Sequence, residues 1–533
     1  MENITLVIIL LFVITFLGIL SKRFKFPFPI VLVVFGVLIS LVPGLPGMKI
    51  SPEVVFILFL PPLLYHAAWK TSWHDFRTAI RPISLAAIGL VIFTTCAVAF
   101  VAHWLIPAFS WPLAFLLGAI ISPPDAVSAT AVTKGLGLHP GLLTILEGES
   151  LINDASALIA YRYALAAVLA ANFIWWQVGL NFLYVAAVGI GIGWLIGLVM
   201  KLIHKKFVCD PVIDVTLTFL TPYTSYLLAE HFHASGVLAV VTTGLYLSFR
   251  SSEIFSHQSR IMTDSIWDVV MFILNGLIFI LIGLQLRTVS QGLGDYSMSS
   301  LMVYGLSISL LVILIRFMWI LPSLIWPDRI GRSIYGTKGY ERKNLVIFGW
   351  SGMRGIVSMA AAMALPLSFT GGAEFPHRNL LIFLTFCVIL TTLVLLGVTL
   401  PWLIRFLKLE PYSVVAEEYE VRTKIVTHAI DEIEEKFSLL PDELLSNIKS
   451  KYEVKYNRLQ KTELPSNYFG KGKTLSSAVF NQYSKLQLDL LDVERGSIRQ
   501  MHLAGTASES ILRKMERELD IEEMRLRMEM YNA

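Results

Sequence analysis

The chain has 533 residues, 55% of them hydrophobic and only 15% charged, whereas a soluble domain carries about 25% charged residues. Its net charge of +4 is small and gives no footing for nucleic-acid binding. Cys96, Cys209 and Cys387 stand singly in or beside apolar runs, which excludes a disulfide framework and a cysteine metal site.

Apolar runs long enough to cross a bilayer recur from residue 4 to about residue 409. They predict an all-α polytopic membrane protein. The first run, "ITLVIILLFVITFLGILSKRFK", has its cations after the apolar part, so it reads as a retained span rather than a cleaved signal. Thirteen candidate spans lie near 4–20, 28–42, 52–68, 83–106, 112–134, 142–171, 177–203, 212–229, 235–249, 265–286, 299–323, 344–366 and 379–404. Alternating the loops between two sides places seventeen Lys and Arg on one side, among them Lys22, Arg23, Lys25, Lys134, Lys201, Arg260, Arg329, Arg332 and Lys338. Only Lys49, Arg287 and Arg378 fall on the other. Lys and Arg favour cytoplasmic loops, so the N-terminus is expected outside.

Thirteen spans also allow spans 1–6 and 8–13 to form two halves of opposite topology. Interrupted helices should then fall at matching positions. Span 5 holds "SPPD", and span 12 holds "FGWSGMRGIVSMA", with three glycines around Arg354. Each is the fifth span of its half.

In "ISPPDAV" the pattern Ser-x-x-Asp predicts that Ser122 caps a second half-helix in mid-span. Pro123 would take its first position and Asp125 its first turn, where a carboxylate compensates the positive helix end. Unwound backbone at that depth must face protein or a water-filled cavity. The next span, "LEGESLINDASALIAY", brings Glu147, Glu149, Ser150, Asn153 and Asp154 into an apolar segment. Glu149 and Asn153 share one helix face, and Ser150 and Asp154 another. Ionisable groups inside a membrane point to ion or proton pathways, and Asp154 is the leading candidate. Glu147 is placed nearer the cytoplasmic mouth. A buried Glu149 needs a cation, and Arg316 and Arg354 both lie deep in apolar runs. Arg316 is favoured for the salt bridge and Arg354 for the crossing of the broken helices. Arg162 is expected to snorkel to the outer interface, and Asn275 to serve interhelical packing.

The tail differs. Residues 410–533 hold 22 of the 39 acidic and 18 of the 43 basic residues. A helical cytoplasmic domain is expected there, with Leu512, Met515, Leu519 and Met528 on the apolar face of one helix. It could be a plain solvated bundle or make regulatory contacts.

"SPPDAVSAT", then "EGESLINDASA", then "GWSGMRGIVSMA" far downstream resemble the monovalent cation/proton antiporters of the NhaP and sodium/hydrogen exchanger branch. The resemblance covers about residues 1–409. It implies an NhaA-like fold of about 13 transmembrane helices with inverted repeats and broken helices. Residues 1–409 would form dimerisation and ion-translocating core subdomains, and residues 410–533 the cytoplasmic tail. It implies a homodimer in the cell (plasma or inner) membrane, in contact with lipid. It also implies Na+, with K+ or Li+ as alternatives, exchanged for H+, these ions being cargo and no cofactor being needed. Carried over, Asp154 would bind cation or proton, with Ser150 as a second Na+ ligand. Asn153 would occupy the position that is a second aspartate in electrogenic relatives. Glu149 would pair with an arginine, best Arg316, and Asp125 would sit beside the helix break. Many relatives have Thr immediately before that Asp. Pro124 stands there and offers only its carbonyl oxygen.

The mechanism expected is competition at Asp154, which carries either a proton or a partly dehydrated cation. With Asn at 153, one charge moves each way and exchange is electroneutral. The core moving against the dimerisation domain would supply alternating access. A cation channel or another carrier of this fold is the alternative. An intramembrane enzyme ranks last, because no His-pair, Ser/Lys or nucleotide-loop motif stands out.

Overall fold

The structure is a computed structural model that describes residues 2–24, 26–41, 52–133, 138–169, 175–207, 210–291, 296–325, 342–368, 374–409, 414–436, 449–453 and 477–532, together with 136, 293 and 456. Lys25, Lys49, Lys134, Cys209, Arg329, Arg332 and Lys338 lie outside the described residues, as does the side chain of Met528.

The described chain is helical, apart from an isolated bridge between Ser368 and Glu374. In the apolar part the helices are α1 (Glu2–Phe24), α2 (Phe28–Ser40), α3 (Pro52–Lys70), α4 (Ile80–Leu105), α5 (Trp111–Ile121), α6 (Ala126–Thr133) and α7 (Pro140–Leu169). There follow α8 (Trp175–Phe207), α9 (Pro211–His231), α10 (Gly236–Phe249), α11 (His257–Gln291), α12 (Met298–Ile325), α13 (Arg342–Trp350), α14 (Ile356–Met363) and α15 (Arg378–Phe406). Six helices among the described residues are long and apolar enough to cross a membrane, and three shorter ones are apolar too. Their outward faces carry residues such as Phe12, Phe100, Trp104, Leu306 and Trp402 at more than half exposure. Such a surface suits lipid, not water.

Two packing groups stand beside α1, α2 and α11, which pack on one another. α4, α5, α7, α12 and α15 pack on one another, with α14 against α5 and α15. α3 and α8 pack on α10, and α9 joins that second group. There Tyr223 donates to the Leu58 carbonyl at 3.1 Å and Ser225 meets Thr243 at 3.0 Å. Small residues permit the close approach. A Cβ at Gly118 would meet the Thr95 carbonyl oxygen at 2.4 Å, and one at Gly193 the Ala239 carbonyl oxygen at 2.3 Å. In lipid, such contacts replace the hydrophobic drive that folds a soluble core.

A separate compact unit contains residues 208–215, 251–264 and 412–533. Its helices are α16 (Val414–Lys436), α17 (Ser477–Ala504) and α18 (Glu509–Asn532). Leu512, Met515 and Leu519 from α18 join Val421, Ile425, Leu491 and Ile498 in one apolar core. α17 turns into α18 at Gly505, whose φ of 61° is left-handed and suits glycine. Arg260 ties the 251–264 segment to α18 through Asp520, its Nε donating at 2.9 Å.

Candidate functional site: a carboxylate-lined cavity at crossed helix breaks

Both spans expected to break do so. α5 stops at Ile121, residues 122–125 are not helical, and α6 starts at Ala126. α13 stops at Trp350, and α14 resumes at Ile356. The two gaps cross. The backbone N–H of Asp125 donates to the Met353 carbonyl at 2.7 Å. Gly355 lies so close that a Cβ there would be 1.9 Å from Asp125 Oδ2. Each interruption thus satisfies backbone groups of the other, as apolar surroundings require.

The capping residue is Asp125, not Ser122. Ser122 is itself in right-handed helical geometry and closes α5, its hydroxyl donating to the Ala119 carbonyl at 3.1 Å. Asp125 Oδ1 accepts from the N–H of Val127 at 2.9 Å and of Ser128 at 3.4 Å, and Oδ2 accepts from the Ser128 hydroxyl at 2.7 Å. Pro123 therefore does not take the first helical position. It precedes Pro124, which disfavours helical geometry for it, and α6 begins only at Ala126.

Arg354 lies in the second gap and is 1% exposed. Its N–H donates to the Thr392 hydroxyl at 3.1 Å. Thr392 belongs to a π-helical turn, Thr392–Leu396, inside α15. The guanidinium reaches the Gly352 carbonyl at 3.4 Å.

Glu149 and Arg316 are brought together. Arg316 donates from Nη1 to Glu149 Oε1 at 2.8 Å and from Nη2 to Oε2 at 2.7 Å, with the side chains 2% and 1% exposed. Its Nε donates to the Phe348 carbonyl at 3.0 Å, and the guanidinium lies 4.5 Å from the Phe348 ring centroid. A buried pair with this two-point geometry and an extra acceptor offsets much of its desolvation. It ties α7 to α12 and α13.

A cavity of about 260 Å³ opens beside the crossing. Asp154, Ser150, Pro123, Pro124 and Asp125 all line it. Asp154 is 6% exposed. The carboxylates of Asp154, Asp125 and Glu147, a serine hydroxyl and unwound backbone supply hard oxygen donors of the kind alkali cations take. Asn153 is the exception among the expected ligands. It is fully buried, lies off the cavity wall, and neither of its amide atoms has a hydrogen-bond partner among the described residues.

The cavity adds residues that the sequence did not single out. Ser358 at the start of α14 lines it, and its buried hydroxyl has no hydrogen-bond partner among the described residues. His66 and Lys70 enter from α3. Asn275, expected to serve interhelical packing, lines the cavity too. The sequence signal for Ser358 was present, four residues after Arg354, but was hidden by the small residues around it. Arg162 does not snorkel alone. One terminal nitrogen donates to both carboxylate oxygens of Glu230, at 2.6 and 2.7 Å. Among the described residues, no group of three or more His, Cys, Asp or Glu could hold a resident metal ion.

A lipid-facing helical body, broken helices that cross, and an acidic cavity at the crossing define the class of membrane ion transporters. The sequence model of the family described as sodium/hydrogen exchanger, transmembrane, matches residues 7–406. The chain belongs to the sodium/hydrogen exchanger family. A sodium, potassium, lithium and rubidium/H+ antiporter of Bacillus pumilus is 33% identical over 414 residues, which is 76% of this chain and 61% of that protein. The chain thus spans about three fifths of that relative's length. A Mycobacterium bovis protein described as an uncharacterized Na+/H+ exchanger is 29% identical over 526 residues, covering 95% of this chain and 93% of that one. In fold, the chain is similar to the sodium proton antiporter MjNhaP1 of Methanocaldococcus jannaschii, with a TM-score of 0.60 at 19% identity over 77% of this chain and 99% of that one.

Proposed function

We propose that the chain is an antiporter that exchanges Na+, with K+ or Li+ as alternative cargo, for H+ by alternating access. It crosses the cell membrane thirteen times with its N-terminus outside and its tail in the cytoplasm. It works as a homodimer, α3, α8, α9 and α10 belonging to the dimerisation part and the α4–α7 and α12–α15 group to the moving core. The observation that carries this reading is Asp154, set in an acidic cavity at the crossing of two helix breaks. Asp154, Ser150 and the Pro124 carbonyl bind the cation, and a proton on Asp154 displaces it. Ions related by such competition cannot travel together, which makes the cycle an exchange. Asn153 adds no charge beside Asp154, so one charge moves each way and the cycle is electroneutral. Relatives named for transport of several alkali cations support testing more than one cargo.

The experiment is transport by the purified chain in liposomes. A pH gradient is imposed, Na+, K+ or Li+ is added, and internal pH is followed, with voltage set by K+ and valinomycin in the Na+ and Li+ runs. Membrane potential acts with about 2.3 kcal/mol per charge per 100 mV. Electroneutral exchange is therefore unmoved by voltage, and Asp154→Asn abolishes it. Exchange that persists in Asp154→Asn, or that carries cation current without pH change, overturns the reading.

A further inference from the structure

The ion pairs that Glu149 and Arg162 of α7 make differ in kind. Glu149–Arg316 is buried and stays inside one packing group. Arg162–Glu230 is 47% and 29% exposed and joins the two groups, α7 on one side and the end of α9 on the other. Glu230 is also held on its own side, where Oε1 accepts from the N–H of Gly236 at 3.4 Å, at the start of α10. That start is fixed in turn by the Ser235 hydroxyl, which accepts from the Leu238 N–H at 3.2 Å, and by the Ser235 N–H, which donates to the Val185 carbonyl of α8 at 3.1 Å. Arg162 is therefore the half of the pair that can leave. Its exposure means that water can solvate both charges when they part, so separation costs little. A connection meant to open needs that property, and a permanent strut does not.

The position also fits. All the α7 residues that line the cavity, Glu147, Ser150, Leu151 and Asp154, lie at or before Asp154. Arg162 stands eight residues further on, about 12 Å along the axis, on the face that Asp154 and Leu158 share at intervals of four. Between them Ala155, Ala157, Ile159 and Tyr161 are buried. On α7 the cavity lining therefore stops at Asp154, buried residues follow, and exposure returns at Arg162.

We propose that Arg162 and Glu230 form the gate of the closed face. The pair holds α7 against α9 while the cavity is open on the Lys70 side, and it breaks when the α7 group moves to expose Asp154 to the opposite side. The proposal rests on the alternating-access reading. It assigns Arg162 and Glu230 a positioning role, since neither touches the cargo. An exposed pair of this kind shifts a two-state equilibrium about two- to five-fold. That is enough to retune a transporter whose two states are nearly balanced.

The test measures access, not transport. In the full chain with Cys96, Cys209 and Cys387 replaced by Ala, Leu158→Cys places a thiol between Asp154 and the pair. A membrane-impermeant maleimide is applied to sealed vesicles from the Arg162 side. Arg162→Ala and Glu230→Ala are each expected to raise the labelling rate about two- to five-fold, and the charge-swapped Arg162→Glu/Glu230→Arg chain to return it close to the starting rate. Unchanged labelling in both single variants overturns the gate, and so does a swapped chain that labels as fast as the singles. Labelling proceeds whether or not ions are exchanged. A failed gate with normal exchange therefore stands apart from a failed antiport reading.

Discussion

Asp125 donates its backbone N–H to the Met353 carbonyl at 2.7 Å while its carboxylate caps α6. One residue thus completes two interrupted helices, and the cavity beside it inherits its shape from that contact. Gly355 is the residue that allows it. A Cβ there would lie 1.9 Å from Asp125 Oδ2, so the close approach requires glycine. Gly355→Ala would drive a methyl group into Asp125 Oδ2. Overpacking of this kind costs about 1–3 kcal/mol, and the crossing must shift to absorb it. The expected result is a lower thermal midpoint in detergent and loss of most cation-driven pH change in liposomes. Unaltered transport in this variant would show that the crossing is looser than the geometry states.

The buried pair gives a second prediction with a distinctive pattern. Glu149→Leu or Arg316→Met alone leaves one charge buried without its partner, at a cost of about 3–5 kcal/mol. Replacing both, as Glu149→Leu/Arg316→Met, removes the stranded charge. The double variant should unfold at a higher temperature than either single variant. Thermal unfolding of the four proteins forms a double-mutant cycle. A double variant less stable than both singles would mean that the Phe348 carbonyl and ring, and not Glu149, are the main partners of Arg316.

The breaks and the Glu149–Arg316 pair were readable because each leaves a mark in one dimension. Prolines and glycines clustered inside an apolar run mark a helix that cannot run straight through, and a deep carboxylate demands a deep cation. What was not readable depends on details that the residue string leaves open. "SPPD" offers two capping side chains, and the choice of Asp125 goes with the disfavour that Pro124 sets on a helical Pro123 and with the Met353 carbonyl from 228 residues away. Arg162 sits near a span end, where snorkelling is the ordinary fate, and Glu230 lies 68 residues away. Only tertiary packing joins them. Asn153 and Ser150 are three residues apart, yet only Ser150 reaches the cavity.

Ser358 supplies a third prediction. Its hydroxyl is buried in the cavity wall with no hydrogen-bond partner among the described residues, so removing it sacrifices no internal bond seen there. Ser358→Ala should not lower the stability, because it removes a buried hydroxyl without a hydrogen-bond partner among the described residues. If the hydroxyl helps to bind the cation, the apparent KM for Na+ rises several-fold while the maximal rate is retained. An unchanged KM removes Ser358 from the proposed ligands and leaves those proposed above, Asp154, Ser150 and the Pro124 carbonyl.

The tail carries a pH dependence of its own. At the turn from α17 to α18, His502 Nδ1 lies 2.7 Å from Glu509 Oε2, and Arg513 donates to Glu509 Oε1 at 3.0 Å. The hydrogen bond to Glu509 raises the His502 pKa above its ordinary value, against the opposing effect of burial. Burial pushes Glu509 up, but the His502 bond and the Arg513 charge outweigh it and leave that carboxyl below its usual range. A raised histidine contributes its stability in full below the unfolded-state value near 6.5, and loses it as pH climbs through the higher folded value. A depressed carboxyl contributes above the unfolded value near 4.3, and loses its share as pH falls through the lower folded one. The turn should therefore be firmest between about pH 4.3 and 6.5, and should loosen on the alkaline side first within the physiological range. Hydrogen exchange of residues 500–512 in the intact protein, corrected for intrinsic rates, would read this directly. Protection is expected to decline from about pH 6 to about pH 9 as the raised histidine loses its proton, and His502→Ala to flatten that decline. Equal pH slopes in the two proteins would show that the ion pair does not govern the turn.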